Sequence, residues 1–157
     1  MVEKLNLNLG CGDAFMKGFV NVDVANMEAP PGIVFHQADL KDRWPWPNSS
    51  VDFILARDVI EHLHNKIFTM NEIHRVLMPG SRVRIEIPTT DGNGAFQDPT
   101  HVSFWNRRSF LYYESGNIYR DRFAKSYGIT AAFHVVAECI TSSMDGPKLQ
   151  IILEAVK

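Results

Sequence analysis

The sequence predicts an α/β fold, a mostly parallel sheet closed by an antiparallel hairpin, and three observations predict it. Five short apolar runs fall within the first 88 residues, with helix-forming stretches between the later ones, the pattern of parallel strands joined by crossovers. A glycine-rich turn, Gly10-Cys11-Gly12, follows the first of these runs and is soon followed by a strand that carries an acid, Asp23, near its end. Two final strand-like runs, Phe133 to Met144 and Lys148 to Val156, are joined at Asp145-Gly146-Pro147, where a hairpin turn is expected.

The elements follow in order. Leu5, Leu7 and Leu9 alternate with Asn6 and Asn8 in a first strand; Val20 to Val24 is the second, and Ile33 to His36 a short third. Pro30, Pro31 and Gly32 leave no room for a helix between the second and third. Val51 to Ala56 is a run apolar but for Asp52, as for a strand covered on both faces. A helical stretch begins over Asp58 to Leu63, and an amphipathic helix is expected over Ile67 to Leu77, stopped by Pro79-Gly80. Ser81 to Ile87 is a fifth strand ended by Pro88, and a long loop, Thr89 to Thr100, leads to short helices near Arg107 to Tyr113 and Arg120 to Tyr127.

With 157 residues and 45% hydrophobic content, a single domain over 1–157 is expected, with residues 100–128 as an aromatic and basic cap. A net charge of −2 argues against non-specific binding to nucleic acid. Cys11 and Cys139 lack metal-ligand spacing, so a reduced, cytoplasmic protein is the simplest reading. No apolar run spans a bilayer, and the N-terminus enters a strand without a leader-like apolar core.

The glycine turn points to a nucleoside-containing cofactor. Gly10 and Gly12 let backbone amides approach a ligand, and an acid at the tip of the next strand accepts hydrogen bonds from a ribose diol. The dinucleotide fingerprint fits poorly: Phe15 stands where its third glycine belongs, and Asp23 follows too soon for a full crossover helix. A nicotinamide oxidoreductase is therefore disfavoured.

The run LNLGCG, the acid in GFVNVD, the ADL after the third strand, PWPNSSVDFILARDVIEHL and EIHRVLMPGSRVRIEIP together resemble class I S-adenosylmethionine-dependent methyltransferases, in particular their compact bacterial and phage members. The resemblance implies a Rossmann-like, seven-stranded sheet ending in the hairpin, and S-adenosylmethionine as cofactor. It implies that Gly10 and Gly12 pass the methionine moiety along the turn, that Asp23 holds the ribose hydroxyls, that Asp39 meets the adenine amino group with Leu40 against the ring, and that Leu9, Cys11 and Val24 are further cofactor-binding positions. Arg57 falls where the family lines the sulfonium end. Cys11 is a packing residue of the turn rather than a nucleophile, since nothing near it in sequence lowers its pKa.

The chain departs from the full-length pattern: the connections between strands one and two and between two and three are too short for covering helices. The apolar/polar alternation in those strands predicts one face under helices and one polar face, solvated or available to a partner or to self-association. His101, oriented by Asp98, and His62 are the candidate catalytic groups for a hydroxyl or amine acceptor; a structural hydrogen-bonding role competes for both. Glu61, His62 and His64 assign no metal, because positions i and i+2 of a helix do not face one another. The expected activity is methyl transfer to a small-molecule or sugar-like acceptor, anionic or sugar-bearing. A cofactor-binding partner subunit without catalysis is the alternative.

Overall fold

The computed structural model describes residues 4–157; residues 1–3, which the reading of the N-terminus included, lie outside it. Seven strands form one sheet: β1 (Asn6–Leu9), β2 (Val20–Asp23), β3 (Val34–Gln37), β4 (Val51–Arg57), β5 (Leu77–Pro88), β6 (Phe133–Ser143) and β7 (Gly146–Ala155). Their spatial order is β3-β2-β1-β4-β5-β7-β6. Pairing is parallel from β3 through β5 and antiparallel for β7 with β5 and with β6, as the hairpin expectation required. The chain order reverses between β1 and β4, so the crevice at the carboxyl ends of these strands is the natural ligand position.

Three α-helices stand among the described residues, α1 (Lys66–Val76), the four-residue α2 (Gly94–Gln97) and α3 (Ile118–Tyr127), and the predicted short helix near Arg107 is a 3₁₀ helix, Arg107–Tyr112. Asn65 caps α1 by accepting from the Phe68 amide at 2.9 Å. Met70, Ile73 and Val76 point its apolar stripe at the sheet, each fully buried. The connections β1 to β2 and β2 to β3 contain no helix, as their length predicts. None of the described helices is long and apolar enough to cross a membrane.

Three expectations need correction. Asp58 to Leu63 is not the start of an α-helix but a single 3₁₀ turn, Ile60–His62. Pro79-Gly80 lies inside β5 rather than between helix and strand. Leu77 still pairs with Val51, and the register then shifts, with Gly80 at φ +74, before Arg82 meets Phe53. Finally, the polar face is not uniformly solvated. Asn8 and Asn21, two of its polar positions, are 2% and 0% exposed beneath the β1–β2 connection. Asn21 accepts from the Met16 amide at 2.7 Å and donates to the carbonyls of Met16 and Val34; Asn8 donates to Ala14 O and to Asn21. These amides replace the missing crossover helix: they satisfy the backbone of an irregular segment that would otherwise bury unpaired groups. Further along the sheet the expectation holds, for Arg82, Arg84, Glu86, Gln150 and Glu154 form a wet cross-strand ladder.

Candidate functional site

The ends of four parallel strands build a cleft of about 260 Å³. After β1 the chain turns through Gly10 at φ +57, and a Cβ there would stand 2.4 Å from Val59 Cγ2 and 2.7 Å from its Cβ. Only glycine fits. Cys11 donates its amide to Val22 O at 3.0 Å, which fixes the turn against β2. Gly12 donates its amide to Asp23 Oδ2 at 2.9 Å and Ala25 donates to Oδ1 at 3.0 Å, so the carboxylate at the tip of β2 is held on both oxygens and its remaining lone pairs are presented in a fixed direction. Asp39 after β3 is steadied by the Lys41 amide on Oδ1 at 2.9 Å.

Five predicted residues line this cleft: Gly10, Asp23, Val24, Asp39 and Leu40. Gly12 reaches it through Asp23, whereas Leu9 and Cys11 are buried behind the turn, 1% and 5% exposed. Burial, with Asp23 nearby, pushes the Cys11 thiol above its ordinary value, which suits packing and not nucleophilic attack. Arg57 is exposed and is not on the wall; its neighbour Asp58 is. Asp58 takes φ +50, unusual for a residue with a Cβ, and its carboxylate accepts from Lys148 Nζ at 2.9 and 2.7 Å. The one-residue difference comes from that left-handed turn, which no local sequence signal announces. Ala38, Lys41, Val59, His62 and Leu63 also line the cleft and were not anticipated as cofactor contacts. The residues present fit an adenosyl group: a glycine turn a Cβ would fill, a held acid for the diol, and Leu40 and Leu63 for an aromatic ring.

A second, polar cleft of about 220 Å³ adjoins the first, since Asp58 and His62 line both. The 3₁₀ turn contributes Glu61 and His62, and the loop that follows α2 contributes Asp98 and His101. Val102 and Ser103 donate their amides to Glu61 O, each at 2.9 Å, which pins the loop to the turn. The His62 and His101 rings pack edge to face with centroids 4.9 Å apart. His101 Nδ1 lies 3.1 Å from Ala95 O, and His62 Nδ1 lies 3.2 Å from Thr100 O and 3.1 Å from Thr100 Oγ1. A carbonyl only accepts, and the Thr100 hydroxyl already donates to Asp98 at 2.6 Å. Both Nδ1 atoms therefore carry a proton, and in the neutral tautomer so fixed it is Nε2 that offers the lone pair.

The predicted partnership of Asp98 with His101 is loose, 3.9 Å, because Asp98 is taken up by Thr100, whose hydroxyl and amide hold its carboxyl below the usual range. Glu61 was passed over as a catalytic candidate, yet its carboxylate is the most unusual group here. It is 2% exposed, and neither oxygen has a hydrogen-bond partner. Burial, with Asp58 adding to it, pushes its carboxyl up to about 7.

A separate, wider hollow of about 740 Å³ lies between the start of α1 and the region Val102 to Ile129. Trp105 and Phe110 are buried and stacked, centroids 5.3 Å apart, while Tyr112, Phe123 and Tyr127 form a partly exposed aromatic row. Lys66, its ammonium 4.6 Å from the Trp105 ring and bonded to Phe104 O, has its pKa lowered by burial.

Residues 16–85 match the family model described as a methyltransferase domain. No curated protein matches in sequence. Among solved structures, a chain of the complex between the Haloferax volcanii Trm112 methyltransferase activator and a putative methyltransferase superposes with a TM-score of 0.71 at 15% identity, over 99% of this chain and 84% of that one. A Methanosarcina mazei S-adenosylmethionine-dependent methyltransferase gives 0.65 at 14% identity, over 99% and 94%. The Burkholderia thailandensis 1,6-didemethyltoxoflavin-N1-methyltransferase, solved with its acceptor and S-adenosylhomocysteine, gives 0.64 at 12% identity, over 98% and 71%. At these identities the likeness is one of fold.

Proposed function

We propose that this chain, a class I S-adenosylmethionine-dependent methyltransferase by its domain match and its fold, methylates a small, polar, sugar-like acceptor that enters the second cleft. The carrying observation is the shared wall: Asp58 and His62 line both the cofactor cleft and a polar cleft that also holds Glu61 and His101. When bound, the cofactor supplies an electrophilic methyl group on a sulfonium. The chain's own part is placement. Gly10 and the held carboxylate of Asp23 orient the adenosyl portion, and Asp39 with Leu40 receives the base. Asp58, locked by Lys148, and His62 set the boundary across which acceptor and methyl group meet in line. An acceptor hydroxyl is weakly nucleophilic until it loses its proton, and the lone pairs of Glu61, His62 and His101 converge where that proton leaves.

A cleft of about 220 Å³ is below the range of about 300–1,000 Å³ typical of drug-sized ligands, which supports a small acceptor or the end of a larger one. The charge pattern also supports this over nucleic acid: four acids, Asp58, Glu61, Asp98 and Asp145, line the cleft against one lysine, a poor cradle for phosphates. The test has two stages. Calorimetric titration with S-adenosylhomocysteine should give saturable binding, and a panel of hydroxyl-bearing small molecules with labelled methyl donor should yield a labelled product. Labelling of RNA alone would overturn the acceptor class, and binding without turnover on any acceptor would favour the partner-subunit alternative.

A further inference from the structure

Glu61, His62 and His101 each offer a ligand atom, and these atoms lie within 4.8 Å of one another. We propose that this cluster is a divalent-metal site on the floor of the acceptor cleft, holding an ion such as Mn²⁺ or Zn²⁺ through one carboxylate and two imidazole Nε2 atoms.

The argument begins with Glu61. A carboxylate that is 2% exposed with both oxygens unbonded is costly unless something cationic meets it. The one lysine on the cleft cannot do so, because the Lys148 ammonium sits on both oxygens of Asp58. Asp98 is likewise committed, to Thr100, so Glu61 is the unsatisfied acid of the group. What faces it is a pair of imidazoles whose Nδ1 protons are anchored, His101 on Ala95 O and His62 on Thr100. Anchoring Nδ1–H on an oxygen is how a protein fixes the tautomer and aim of a metal-binding histidine. The two amide bonds from Val102 and Ser103 to Glu61 O then hold all three donors on one rigid unit.

One carboxylate with two imidazoles and open positions suits borderline divalent ions rather than Mg²⁺ or Ca²⁺, which prefer all-oxygen shells. Metal bonds of about 2.0–2.2 Å place any two ligand atoms at most about 4.4 Å apart, so binding draws the donors slightly together. The reading of Glu61, His62 and His64 on one helix missed this arrangement because the third donor comes from the loop 40 residues on, not from His64. This inference deepens the acceptor proposal: an ion here would take the acceptor's hydroxyl oxygen directly and lower its pKa, the released proton passing to water. The imidazoles then act as ligands rather than as bases.

The test uses the untagged protein stripped with chelator, with MnCl₂ or ZnCl₂ as probe and no cofactor. Titration calorimetry should show one ion per chain, and a hundredfold excess over Kd should raise the melting temperature by roughly 5–10 °C. Glu61→Gln and His101→Gln should each weaken binding at least about 100-fold while keeping the circular dichroism spectrum and S-adenosylhomocysteine affinity of the parent. Absence of stoichiometric binding in the parent, or undiminished binding in both variants, would overturn the site. The acceptor reading fails separately: metal binding with no methyl transfer to any hydroxyl acceptor, with and without the ion, leaves the site standing and removes its proposed use.

Discussion

An alanine at Gly10 meets two separate penalties, and they can be measured apart. The first is backbone strain at φ +57, about 1–2 kcal/mol for a residue with a Cβ. The second is the collision with Val59, whose Cγ2 and Cβ would lie 2.4 and 2.7 Å from the new carbon. Both contacts are with a β-branched side chain that is itself 7% exposed, so it cannot swing clear, and overpacking of this kind costs about 1–3 kcal/mol. The sum is about 2–5 kcal/mol. Gly12 is the internal control, with φ +49 and nothing within 4 Å of where a Cβ would stand, so Gly12→Ala carries only the strain, about 1–2 kcal/mol. Urea unfolding monitored by tryptophan fluorescence should rank the parent above Gly12→Ala above Gly10→Ala. Adding Val59→Ala should recover part of the loss only in the Gly10 background. Because Gly10 and Val59 both face the cofactor cleft, S-adenosylhomocysteine affinity should fall with Gly10→Ala as well. Equal destabilisation by the two alanines would refute the close-approach reasoning, and no loss in either would refute the strained turn altogether.

Asp23→Ala frees the amides of Gly12 and Ala25 and removes the acid proposed for the ribose, so calorimetry should show S-adenosylhomocysteine binding weakened by about 1–3 kcal/mol; unchanged affinity would remove Asp23 from the site. Asn21→Ala leaves the Met16 amide and the Met16 and Val34 carbonyls without their side-chain partner, and should cost about 2–4 kcal/mol in urea unfolding, while Asn6→Ala at the open end of β1 should cost less than about 1 kcal/mol. Glu72 gives a pH signature. Burial alone would raise its carboxyl, but Arg75 at 2.6 Å and the Trp44 amide outweigh that and hold it below its ordinary 4.5. The stability it contributes is therefore complete above pH 4.5 and lost as pH falls through the lower folded value; Glu72→Gln should flatten that acid limb of the melting-temperature profile.

The sheet was legible because its signals are local and redundant. Val51 to Ala56 is apolar but for Asp52, the turn at Asp145-Gly146-Pro147 separates two strand runs, and Pro30-Pro31-Gly32 forbids a helix. The cleft proposed for the cofactor was legible for a related reason: Gly10, Asp23 and Asp39 stand at or just beyond strand ends, so their placement is set by topology. Asn8 and Asn21 misled because alternation reports polarity and not exposure; what buries them is a connection whose path depends on the very hydrogen bonds they make. The surroundings of Glu61 were not legible for two reasons. A 3₁₀ turn and an α-helix aim consecutive side chains differently, and its neighbour His101 comes from an element distant in sequence.

The wall of Asp58 and His62 common to both clefts makes the two occupants thermodynamically answerable to each other. Any change that one ligand imposes on those side chains is a change in what the other finds. The effect must be symmetric in free energy: if filling the polar cleft tightens binding on the adenosyl side tenfold, the reverse holds by the same factor. In such a molecule the order of arrival is a kinetic question, while the size of the mutual preference is a single property of the pair of sites.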